Sequence, residues 1–273
     1  MLRLETETGW WLVTHPDHAH LAGAFAEQWG NAMFAPPEPR KQVLNGIHAH
    51  DDGWAVRDAS PQITRQGKPS AFSSELVGKY SAFEEIDLND YLAVRERAVG
   101  MMAAADPYAA ILISMHTYNL LTERADRSTI DPMQLPLLDA FLERQRSLQR
   151  ELQTKVRESG DFTAEETSAE RLMEHFRVLQ ATDNLSLLTC VDYTGPATLL
   201  HPLPLCDGAT SEVHVERLGE RHFRLDPYPF AQPVAAFHYP ARHVEGKTFA
   251  SAEELQSRFA EAQVQMLSVT VTA

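Results

Sequence analysis

Apolar residues recur at helical spacing through the first 190 residues of the chain. A helix is predicted from Thr14 to about Trp29, because Thr14 and Asp17 are spaced like a capping box and Pro16 suits a first turn. The same periodicity predicts five further helices, over residues 40–52, 88–105, 107–124 and 132–159, and from residue 163 or 168 to residue 191. This part of the chain is therefore expected to be helical.

The pattern changes near Tyr193, where alternation and β-branched residues replace helical spacing. VHVERL, HFRLD, VAAFHYPARHV and MLSVTVT read as strands, with a helix over 252–262 between the last two. Two more short strands are predicted near residues 2–4 and 10–13. We expect a mainly α fold, with a helical domain over residues 1–192 and a small β-rich, α+β extension over residues 193–273 packed on it. The loop-rich stretch 54–90 is expected to form a lid or pocket rim.

Polar residues on apolar helix faces are the chemical signal. His18 lies on the apolar face of the first helix, and His116 lies in a helix that is apolar nearly all round. His50 and Asp51 lie in HAHDDGW, where acids crowd the negative end of a helix dipole. Asp183 interrupts an apolar stripe, where an unpaired carboxylate is costly. Imidazole and carboxylate together predict a transition-metal site, although a hydrogen-bonded core histidine or an ion pair would explain His116 or Asp183 alone.

Charge and composition narrow the function classes. The 273 residues carry a net charge of −14, which argues against a nucleic-acid or membrane-surface partner. No apolar run reaches the roughly 20 residues of a membrane helix, and no secretory signal is evident at the start. The two cysteines fit a reducing compartment. A cytoplasmic protein acting on a small molecule is expected, and a homodimer is left open.

The order His, His-Asp, Asp on separate helices resembles the HD superfamily of metal-dependent phosphohydrolases. The matching positions here are His18, His50-Asp51 and Asp183. Segments such as THPDHAHLAGAFAEQWG, HAHDDGW, GKPSAF, DPYAAILISMHTYNLL, ATDNLSLL and DPYPF are similar to a bacterial family of unknown function. The resemblance implies an HD-type helical bundle and one divalent ion, or two, with Fe, Mn, Zn, Ni, Co and Mg all candidates. His116 would be an extra ligand.

A metal-dependent hydrolase of a phosphoester or nucleotide-like molecule is the resulting hypothesis. The metal would lower the pKa of a bound water, Asp51 or Asp52 would help to deprotonate it, and His116 would assist the leaving group. The candidate phosphate-binding cations are Lys68, Arg65 and Arg124. Two alternatives stay open. One is an HD-type diiron oxygenase, and the other is a non-catalytic binding protein stabilised by its metal.

Overall fold

A seven-stranded sheet takes strands from both ends of the chain. The computed structural model describes residues 1–79 and 86–273. The strands in these ranges are β1 (Leu2–Glu5), β2 (Gly9–Val13), β3 (Ala197–Thr198), β4 (Leu203–Pro204), β5 (Thr210–Ser211), β6 (His214–Gly219), β7 (His222–Asp226), β8 (Val234–Glu245) and β9 (Val264–Thr272). The large sheet has the order β1-β2-β8-β9-β7-β6-β3, and β4 and β5 form a separate pair. Its strands are antiparallel except where β7 pairs with β9.

Eight α-helices accompany the sheet within the described residues. They are α1 (His15–Gln28), α2 (Arg40–Ala49), α3 (Ala55–Asp58), α4 (Leu88–Ala103), α5 (Pro107–Glu123), α6 (Leu135–Ser159), α7 (Ala169–Cys190) and α8 (Ala252–Glu261). Among these helices, none is long and apolar enough to cross a membrane.

Helix α1 lies between the sheet and the other helices. Its start is fixed by Thr14, whose side chain accepts a hydrogen bond from the backbone N–H of Asp17. On one side Phe25 packs edge-to-face against Phe237 of β8, with ring centroids 4.6 Å apart. Other parts of α1 pack against α2 and α7. The sheet therefore supports α1, and α1 supports the helices beside it.

Helices α2 and α5 approach closely because of one glycine. A Cβ atom on Gly46 of α2 would lie 3.2 Å from the carbonyl oxygen of Ala109 in α5, so an alanine there would require a shift of a few tenths of an ångström. Helix α7 also packs against α1, α2 and α5. Four helices thus meet at one point, and each brings inward-facing side chains to it.

The expectation of a mainly α, HD-type helical bundle with a small β extension is wrong. The fold is α+β with a seven-stranded sheet as a major layer. Strand β2 pairs with β8, with Trp10 opposite Val244, so the N-terminal strands belong to the same sheet as the C-terminal ones. Periodicity finds strands but not their partners, because pairing joins residues far apart in sequence.

Two further expectations concern boundaries. The division into residues 1–192 and 193–273 stays a prediction, although the sheet takes strands from both sides of it. The stretch 54–90 contains α3 and a short 3₁₀ turn, Ser74–Leu76. Residues 80–85 of the expected lid lie outside the described residues, so the lid stays a prediction.

Candidate metal centre

His18 is held with one ring nitrogen facing inward. The side chain is 1% exposed, and Nδ1 lies 2.9 Å from the hydroxyl oxygen of Ser186 on α7. That hydroxyl donates to the backbone carbonyl of Asp183, at 2.8 Å, so its oxygen is left to accept from His18 Nδ1–H. In the neutral ring Nε2 of His18 is therefore the nitrogen with the lone pair, and it lies 3.2 Å from Asp51 Oδ2.

His50 is oriented in the same way by a backbone carbonyl. Its Nδ1 lies 2.7 Å from the carbonyl oxygen of Ile47, which can only accept, so Nδ1 carries the proton. Nε2 is buried without a hydrogen-bond partner among the described residues and lies 3.3 Å from Asp183 Oδ1. A second lone pair therefore faces a carboxylate oxygen.

The chain leaves the α-helical path at His50-Asp51, which brings Asp51 inward. Helix α2 ends at Ala49, with His50 as its C-cap, so the predicted continuation to residue 52 is wrong. A 3₁₀ turn follows over Asp52–Trp54. At Gly53 a Cβ would lie 2.0 Å from the carbonyl oxygen of Val94 in α4, so glycine permits this close contact.

Arg95 of α4 compensates the charge of Asp51. Its guanidinium donates to Asp51 Oδ1, and both side chains are buried. The Arg95 guanidinium also lies 5.3 Å from the ring of Trp54 and 5.2 Å from that of Tyr91. One oxygen of Asp51 is thereby engaged, and the other faces the histidines.

His116 and Asp183 complete the group from α5 and α7. His116 Nε2 lies 4.0 Å from Asp183 Oδ2, and its Nδ1 lies 2.8 Å from the side-chain amide of Gln180. Asp183 Oδ1 also lies 3.7 Å from His18 Nδ1. The structure thus brings together all five residues that the sequence singled out as ligands, from α1, α5, α7 and the end of α2.

The donor atoms fit a metal ion. Two ligand atoms that are each about 2.1 Å from one ion lie roughly 3.0–3.4 Å apart, and the two shortest imidazole–carboxylate separations are in that range. The five residues form two overlapping groups that could each hold an ion, one of His18, His50 and Asp51 and one of His50, His116 and Asp183. When His18 and His50 are neutral, the lone pairs on their Nε2 atoms would repel the carboxylates that they face. A bound cation would remove that repulsion.

Electrostatics show where positive charge is favoured. Burial opposes the charged form of His50, but Asp51 and Asp183 outweigh burial and raise its pKa to about 9. Burial also opposes the charged form of both aspartates, yet their pKa values are lowered. At Asp51 the positive charges of Arg95 and His50 outweigh burial. At Asp183 the interactions with His50 and His116 outweigh it. Burial lowers the pKa of His116 to about 3. A proton on His50 thus occupies the place that a metal ion would take.

The other predicted site residues lie outside this group. Asp52 begins the 3₁₀ turn and is half-buried, and burial raises the pKa of its carboxyl group. Arg65 is exposed, Lys68 Nζ lies 6.0 Å from the ring of Trp10, and Arg124 caps the end of α5. Among the described residues, the cation that contacts Asp51 is Arg95 rather than one of these three. Their assignment to substrate binding stays a prediction.

Sequence reasoning missed Arg95 and Ser186. Arg95 had a readable signal, because it interrupts the apolar stripe Leu88, Leu92 and Val99 of α4 just as Asp183 interrupts that of α7. Ser186 gave no such signal in the sequence, since a serine one turn from an aspartate does not stand out in a helix.

Comparison with known proteins adds a family but no activity. A family model described as "Protein of unknown function (DUF3891)" matches residues 1–246. The chain has no match among curated proteins or solved structures.

Proposed function

Because the chain belongs to this family of unknown function, its activity has to be inferred from the site, and we propose a metal-dependent hydrolase of a small phosphoester. One observation carries the proposal. Nε2 of His18 and Nε2 of His50, each the nitrogen that has the lone pair when its ring is neutral, face carboxylate oxygens inside a buried five-residue group. The order His18, His50-Asp51, Asp183 resembles the HD pattern, most characterised examples of which hydrolyse phosphoesters.

We assign one ion to the group. Both possible ligand sets contain His50, so a second ion would have to share that histidine's single inward nitrogen. His18, His50, Asp51 and Asp183 would hold the ion, with His116 as a fifth ligand. When bound, it would polarise a phosphate oxygen and lower the pKa of a water.

The ionisable residues near the ion differ in how readily they would accept or donate a proton. Arg95 keeps Asp51 ionised and fixed, so Asp51 is a poor proton acceptor. Asp52 is better suited to accept a proton, because burial raises its pKa. His116, whose pKa is about 3, is neutral near pH 7. To bind the ion through Nε2 it needs its proton on Nδ1, with the side-chain oxygen of Gln180 turned to accept that proton.

The depth of the group favours a second candidate, a metal that stabilises the fold without catalysis. His50 is 0% exposed, and Asp183, the most exposed of the five, is 6% exposed. Substrate would need an opening that admits it to these side chains. A structural site would instead gain from complete burial.

Metal analysis combined with phosphatase assays separates the two candidates. The purified chain would be assayed with nucleotides and simple phosphomonoesters in the presence of Mn, Co, Ni, Zn, Fe or Mg. Metal-dependent turnover that Asp183→Asn abolishes, with the fold intact, supports the hydrolase. Bound metal that raises the melting temperature, without turnover of any substrate, supports the structural role. His175→Gln is a matched control, because His175 is buried on α7 but bonded to Tyr108 instead.

A further inference from the structure

A cavity of about 330 Å³ is lined by His15, whose ring centroid lies 5.8 Å from that of His18, but by none of the five residues of the candidate metal centre. Its wall includes Arg3 of β1, Arg57 of α3 and part of the loop over residues 61–76. His15 stacks on Trp54 with ring centroids 4.3 Å apart, and both residues line the cavity. This volume suits a small organic molecule.

The charged groups of the cavity favour an anion. Arg57 Nη1 lies 3.5 Å from Asp90, and an Arg3 guanidinium nitrogen lies 3.9 Å from Glu75; both acidic side chains are more than half exposed. The exposed pair made by Arg57 is weak and exchanges readily with water or a ligand. Arg3 is buried, and one of its guanidinium nitrogens also donates to the backbone carbonyl of Pro69, so Arg3 contributes positive charge from a fixed position. Asp58 also lines the cavity, but it is committed to His15, whose backbone N–H donates to it at 2.5 Å and whose ring nitrogen lies 3.0 Å away.

A buried hydroxyl in the same wall supports a ligand independently of charge. Ser73 is 5% exposed, and its Oγ has no hydrogen-bond partner among the described residues. Although Ser73 precedes the 3₁₀ turn Ser74–Leu76, its side chain does not cap that turn. An unpaired buried hydroxyl destabilises a fold, so its place beside a cavity points to a partner that is bound there.

We propose that this cavity binds a small molecule carrying a phosphate or carboxylate group, held by Arg3, Arg57 and the hydroxyl of Ser73. Phe72 and Pro61 supply an apolar surface for the uncharged part of the molecule. The site is separate from the His/Asp group and does not depend on the metal centre's activity.

Calorimetric titration of the purified full-length chain with phenyl phosphate and with benzoate tests the proposal. We expect at least one probe to bind, and the tighter probe identifies the preferred anionic group. Arg57→Gln should weaken binding about tenfold, because it removes a charge-assisted hydrogen bond. Arg65→Gln is the control, since Arg65 lies on the loop over residues 61–76, is exposed and does not line the cavity. Its affinity should equal that of the wild type.

Ser73→Ala gives a readout that a structural serine would not give. It should weaken binding several-fold while leaving the melting temperature of the ligand-free protein unchanged or higher, because an unpaired hydroxyl is removed. Asp183→Asn and His116→Gln should bind both probes normally. Failure of both probes to bind at millimolar concentration would overturn the proposal. So would binding that is insensitive to Arg57→Gln, or binding that the two metal-site variants abolish.

Discussion

His50 Nε2 lies 3.3 Å from Asp183 Oδ1, while the other nitrogen of the same ring donates to the carbonyl of Ile47. The two residues come from the end of α2 and the middle of α7, 133 positions apart in the sequence. With its proton fixed on Nδ1, the neutral ring would repel the carboxylate. A second proton or a metal ion has to lie between them.

Asp183→Asn should remove the metal. We expect close to one transition-metal ion per wild-type chain, and at least about a 100-fold loss of affinity in the variant, since even outer-shell partners are worth 10–100-fold. Elemental analysis after dialysis measures both. A chelator should lower the melting temperature of the wild type and of His175→Gln, but not that of Asp183→Asn. Equal metal content in all three proteins would contradict the assignment.

Ser186→Ala should weaken metal binding about tenfold without removing a ligand. The hydroxyl of Ser186 fixes the tautomer of His18, and its loss frees the ring to present either nitrogen. Competition titration with a chromogenic chelator measures the affinity. Thr189→Val is the matched control, because Thr189 is also buried on α7 but its hydroxyl bonds to the backbone carbonyl of Leu185. If both variants lose affinity equally, the effect is general loosening of α7.

Arg95→Met should cost about 3–5 kcal/mol of unfolding free energy in chelator-treated protein, because it leaves the Asp51 carboxylate buried without its cation. Urea denaturation followed by circular dichroism measures this. Combining Arg95→Met with Asp51→Asn should recover part of the loss, since the second change removes the uncompensated charge. Additive losses in the double variant would show that Arg95 acts through packing against Trp54 and Tyr91 alone.

Chelator-treated protein should be most stable near pH 6.5. The pKa of His50 is about 9 in the fold against an ordinary 6.5, so its contribution is complete below pH 6.5 and is lost as pH rises to 9. Burial lowers the pKa of His175 to about 4, so stability falls again as pH drops from 6.5 towards 4. Melting temperatures from pH 4 to 9 measure both limbs. His50→Gln should flatten the alkaline limb alone, and an unchanged limb would refute the assignment to His50.

The sequence predicted the candidate site better than the fold. A polar residue on an apolar stripe is a local signal, so helical phase selected His18 over His20 and found Asp183 and His116. His18 is indeed buried and His20 exposed. The phase argument also placed His50 correctly, although the helix ends one residue earlier and Asp51 turns inward from a non-helical position.

The sheet could not be predicted in the same way. The strands β1 and β2 are short, and their alternation says nothing about a partner near residue 244. Treating them as an appendage of a helical domain gave the wrong fold class. Arg95 was missed although it interrupts an apolar stripe, because a long cationic side chain on a helix is usually exposed. Its burial here depends on contacts with Asp51, Trp54 and Tyr91.

The pairing of β2 with β8 governs when the protein can fold during its synthesis. Helix α1 follows β2 directly and rests on β8 through Phe25 and Phe237, yet β8 ends at Glu245. Helix α1, which carries His18, therefore cannot complete its packing until the ribosome has made a strand more than two hundred residues later in the chain. We expect nascent chains that stop before β8 to expose the apolar face of α1 and to depend on chaperones until β8 has emerged.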